Sequence, residues 1–64
     1  AGGFRVVEAE ALLGLAAVQA AAGRSMLAEG TARESQGLYR AVGHVTGEAV
    51  AAQFLARLSG RATG

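Results

Sequence analysis

The stretch from Ala11 to Ala22, ALLGLAAVQAAA, carries a single polar side chain, Gln19, so a helix formed there is apolar on nearly every side. Such a helix belongs in the interior of a larger protein body or in a membrane. The stretch is too short for a bilayer, which takes about 20 apolar residues. A chain of 64 residues cannot enclose it either, because domains this small bury only about 60% of the surface their unfolded chains expose. Other copies of the same chain are the expected cover. A monomer would have to expose Leu12, Leu13, Leu15 and Val18 together, a larger apolar patch than monomers usually tolerate.

Side-chain size points the same way. Alanine and glycine account for 26 of the 64 residues, and Phe4, Tyr39 and Phe54 are the only aromatics. Little apolar area is available per residue at roughly 25 cal/mol per Å², so stability is expected to come from close backbone contact in an oligomer. Six arginines, no lysine and five glutamates leave a net charge of +1. That balance supplies no field that selects nucleic acid, and membrane contact is possible but not favoured. Without cysteine there is no disulfide or thiolate metal site, and neither a metal nor a cofactor is expected. A first residue of Ala1 suits a trimmed methionine, a cleaved leader or an excised segment equally well.

The chain lacks Pro, Asp and Asn and is dominated by alanine, so its intrinsic preference is helical throughout. After a loose Ala1-Gly2-Gly3 lead-in, Phe4, Val7, Ala11, Leu15, Val18 and Ala22 recur at steps of three and four, the spacing of one helix face. Two places can end this helix: Gly23-Arg24-Ser25 and Glu29-Gly30. The second is favoured, because Thr31-Ala32-Arg33-Glu34 has the form of a capping box and Gly30 can supply the left-handed closing residue. The spacing therefore predicts an all-α fold of one domain over 1–64, an antiparallel two-helix hairpin that oligomerises or polymerises. Its parts are a helix over 4–29, a turn at 30–31, a helix over 32–59 ended by Gly60, and a loose tail over 60–64.

In the second helix Leu38, Val42, Val45, Ala49, Ala52 and Ala56 alternate four and three apart, the a/d seam of a left-handed helix pair, widened by Val50, Phe54 and Leu58. Gly43, Gly47 and Ala51 fall four apart, and small residues so spaced let two helix backbones approach closely. Each interior glycine costs roughly 1 kcal/mol relative to alanine, a cost that close contact would offset. The expected self-interface accordingly comprises Leu12, Leu15, Val18, Leu38, Tyr39, Val42, Gly43, Gly47, Ala51 and Phe54, with Tyr39 read equally well as one buried ring within the hairpin.

Catalytic chemistry finds little support in the residues. Arg40, His44 and Glu48 form a ladder at i, i+4 and i+8, read either as a solvated rim or as a pH-responsive contact through His44. No Asp, Cys or second His is present to assist it, and Ser25, Ser35 and Ser59 lack a surrounding motif. Glu29 and Arg33 make an ordinary surface pair.

The segments Gly37-Leu38-Tyr39-Arg40-Ala41 and Glu48-Ala49-Val50-Ala51-Ala52-Gln53, with the tail Ala62-Thr63-Gly64, resemble the small R-body or killing-trait (RebB-like) proteins. Those are short, Ala-rich helical chains with a Leu-Tyr-Gln-Ala segment, an Asn-Ala-Val segment ending in glutamines, and an Ala-Thr-rich stretch. Glu48 stands where the family usually has Asn, Phe54 stands where a second Gln is common, and the two segments lie about one helical turn closer together here. The resemblance implies a subunit of a ribbon made in the bacterial cytoplasm, which rolls up and in some members extends as pH falls.

The function expected is thus a non-enzymatic structural subunit whose helices assemble into a filament or ribbon. Two alternatives stand beside it: a membrane-active peptide of the bacteriocin kind, which would be secreted and could be joined end to end, and a soluble homodimeric four-helix bundle acting as an adaptor.

Overall fold

A computed structural model describes the backbone of residues 2–63 and the side chains of residues 3–60. Three helices account for nearly all of it: α1 (Gly2–Ala21), α2 (Ser25–Ala41) and α3 (Val45–Thr63). The all-helical expectation holds, and no strand occurs among the described residues. The two-helix division does not hold. Gly2 and Gly3 belong to α1, Gly30 and Thr31 lie inside α2, and α3 runs through Gly60. Ala1 and Gly64, assigned above to the lead-in and the tail, lie outside the described residues.

The chain reverses at Gly23 and Gly43, the two described residues with positive φ, at +81° and +72°. Both turns close by the same device. The Gly23 amide donates to Ala20 O (3.0 Å) and the Arg24 amide to Gln19 O (2.9 Å). Twenty positions later, the Gly43 amide donates to Arg40 O (3.1 Å) and the His44 amide to Tyr39 O (2.8 Å). This is the paired 5→2 and 6→1 bonding of a Schellman cap, which needs a left-handed residue that glycine adopts without steric cost.

The capping box read at Thr31 does not form. The Thr31 hydroxyl instead donates to the Leu27 carbonyl at 3.0 Å, one turn back. By that point α2 is already six residues old, so the Thr31 and Glu34 amides are spent on the helix ladder and no free donor remains to cap.

After the first turn α2 doubles back along α1, and the Ser35 hydroxyl donates to the Ala9 carbonyl at 2.7 Å. The second turn returns α3 along α2, bringing Leu58 and Ser59 beside Ser25, Met26 and Glu29. Thus α2 packs on both neighbours, whereas α1 and α3 barely touch. A groove between them is lined by Ala17, Ala20, Ala21, Phe54, Arg57 and Leu58.

The core between these helices is made of small side chains. Ala9, Ala16, Ala28, Ala32 and Ala51 are fully buried, and Tyr39 and Leu58 are the large residues that join them. At ~0.8 kcal/mol per buried methyl-sized group, the five alanines contribute about as much as two leucines. Small contacts are also what allow a serine on one helix to reach a carbonyl on the next.

Candidate functional site

Burial is inverted with respect to size in this chain. Of the 17 apolar side chains of valine size or larger, two are buried and eight are exposed. On α1 the arrangement is systematic. Ala9 and Ala16 face α2, and at 3.6 residues per turn Phe4, Val7, Ala11, Leu15 and Val18 occupy a ~80° arc on the opposite side. Phe4 is 72% exposed, Val7 65%, Leu15 48% and Val18 66%, and Ala11 is also exposed. The periodic face seen in the sequence is real, and it points away from the protein's own core.

A second outward face lies on α3. Gly47, Ala51 and Leu58 turn inward, while Val45, Ala49 and Ala56 on the other side are exposed and Ala52 is half-buried. These four residues are the C-terminal part of the seam expected above. Leu38 and Val42, its other members, sit half-buried on the far side of the Gly43 turn, so the seam is not continuous.

The expected interface residues therefore divide. Leu15 and Val18 are exposed on the α1 stripe, and Leu12 and Phe54 are half-buried. Tyr39, Gly47 and Ala51 are buried within the chain. Gly43 shares no helix face with Gly47 and Ala51, because it forms the turn. Close backbone approach at Gly47 does occur, but the group that approaches is the Tyr39 ring: a Cβ on Gly47 would overlap it. The small-residue face serves the chain's own packing and is not free for a second chain.

The expected charge ladder is bent by the same turn. In a continuous helix Arg40 and Glu48 would be ~12 Å apart along the axis. Instead Arg40 Nε and Glu48 Oε2 meet at 2.7 Å across the turn. Arg40 lies in the last turn of α2 and Glu48 in the first turn of α3, so each charge suits the helix dipole beside it. Between them His44 caps α3: the Gly47 amide donates to His44 Nδ1 at 2.9 Å, and the Glu48 amide donates to His44 O at 3.0 Å. A histidine thus fills the role usually taken by Ser, Thr, Asp or Asn, which is why no capping signal was apparent in the sequence. The Glu29–Arg33 pair is present at 3.4 Å.

Tyr39 joins the end of α2 to the start of α3. Its ring lies on Gly47 of α3 and 5.1 Å, centroid to centroid, from the His44 ring. Burial, and secondarily the Glu10 carboxylate of α1, push its phenol above the ordinary 10.0. Sequence reasoning could place Tyr39 at an interface or in the interior, and the structure places it in the interior.

No group of His, Cys, Asp and Glu able to hold a metal ion occurs among the described residues. None of the described helices is long and apolar enough to cross a membrane. No family model, curated protein or solved structure matches this chain.

Proposed function

We propose that this chain is a self-associating structural subunit, whose helical modules join through the outward apolar faces of α1 and α3 into a filament or ribbon. The observation that carries the reading is the α1 stripe, with Phe4, Val7, Leu15 and Val18 exposed on the side opposite the core. Removing that surface from water is worth roughly 25 cal/mol per Å². The face on α3 makes the assembly open-ended. A subunit with one adhesive face stops at a dimer, while one with two separate faces can continue.

The reading is non-enzymatic, and the polar groups support it by what they do. Ser35, Thr31 and His44 each direct their side chain to a backbone partner, and the Arg40 and Glu48 charges meet each other. The ribbon form, as opposed to a simple stack, rests on the R-body resemblance, whose two segments fall on α2 and α3 with the Gly43 turn between them. That turn would account for their altered spacing.

Electron microscopy and static light scattering on the purified chain test the proposal. Elongated polymers whose mass grows with concentration are expected. A species of fixed small mass would leave the bundle adaptor in its place, and loss of the protein to sedimenting liposomes would favour the membrane-active alternative.

A further inference from the structure

We infer that the α1 stripe is completed by α1 of a second copy of this chain, the two helices running in opposite directions about a two-fold axis at Ala11. The inference rests on the self-association proposed above and specifies its first contact.

Three observations support it. The stripe is symmetric in size about Ala11: opposing two such helices sets Phe4 level with Val18 of the second copy, Val7 level with Leu15, and Ala11 against itself. Large side chains meet at both ends and small ones at the centre, so the axes can come within about 8 Å. Charge favours the same direction. Arg5, Glu8 and Glu10, with a net charge of −1, all lie in the first half of α1, and the second half is uncharged. A parallel pair would set the two charged halves side by side, whereas in the opposed pair each lies beside an uncharged half and each helix N-terminus lies beside a C-terminus. Finally, the charges flanking the stripe argue against a lipid surface as the occupant. Interfacial helices carry Lys and Arg along their polar side, whereas the α1 charges nearest this stripe are Glu8 and Glu10.

The natural chain has no cysteine, so single-cysteine variants report on contacts without background. Ala11 and Phe4 are exposed and can be replaced without disturbing the core. Under mild oxidation Ala11→Cys is expected to give a covalent dimer, because facing Cα atoms then fall within disulfide reach, about 4.4–6.8 Å. Phe4→Cys alone is expected to remain uncrosslinked, since the two positions lie at opposite ends of the pair, but to crosslink when mixed with Val18→Cys. Self-crosslinking of Phe4→Cys would overturn the opposed direction. If no variant crosslinks while sedimentation still shows an assembly, self-association stands and the α1 pairing is wrong. If the reduced variants and the parent chain sediment alike as monomers, both readings fail together.

Discussion

The Tyr39 ring lies against Gly47, and among the described glycines Gly47 is the one where an added Cβ would meet another atom within 4 Å. The contact locks α3 to the end of α2 just beyond the turn that separates them, and it makes this glycine unlike its neighbours.

Substituting the glycines should therefore produce opposite signs. Gly47→Ala is expected to lower stability by about 1–3 kcal/mol, despite the ~1 kcal/mol by which alanine favours a helix interior. Gly30→Ala and Gly37→Ala, both inside α2 with open space around them, should raise it by about 0.5–1 kcal/mol each. Gly43→Ala should cost about 1–2 kcal/mol, because its φ of +72° is strained for any residue with a Cβ. Thermal unfolding followed by circular dichroism checks all four. A stabilised Gly47→Ala chain would show that the Tyr39 contact is not close.

His44 provides a test of the cap on α3. Its Nδ1 accepts the Gly47 amide, one of the donors that the first turn of a helix leaves unpaired. His44→Asp keeps a capping oxygen and is expected to leave thermal stability nearly unchanged, whereas His44→Ala should cost about 1 kcal/mol. Equal unfolding midpoints for the parent and His44→Ala chains would show that the cap contributes nothing.

Tyr39 provides a pH test in the alkaline range. Because burial and Glu10 raise its phenol above 10.0, the folded state holds the proton more tightly than the unfolded chain does. The stability linked to this group is present in full below pH 10 and is lost as pH rises above it. Tyr39 is the sole tyrosine and there is no tryptophan, so tyrosinate absorbance reports it directly. Its titration midpoint is expected above 10 in buffer and near ~10 in concentrated urea. Coincident midpoints would mean that the ring is not buried.

How far the sequence revealed this structure can be seen at particular residues. The helical nature was legible because alanine dominates and no residue breaks the pattern except glycine. The face of Phe4, Val7, Ala11, Leu15 and Val18 was legible as a face, but periodicity alone does not give its direction, and a core of alanines left it turned outward. The turns were misplaced for a definite reason. Gly30 before Thr31 and Glu34 carries the stronger local signature, whereas Gly23 and Gly43 act through backbone bonds that leave no side-chain mark. Their placement was the available clue, since positions 23 and 43 divide 64 residues into three nearly equal lengths, which suits three helices better than two. The Ser35 to Ala9 bond was not legible, because it depends on the close approach of two helices and not on any local motif.

Sedimentation equilibrium at micromolar concentration, comparing the parent with the double variant Val7→Glu and Leu15→Glu, tests the central claim most directly. Both positions lie on the outward side of α1, away from the contacts with α2, so the substitutions act on association first. The parent is expected to sediment as a multimer whose average mass rises with concentration, and the double variant to shift toward the monomer mass. A parent chain that is helical, cooperatively folded and monomeric under these conditions would contradict the account.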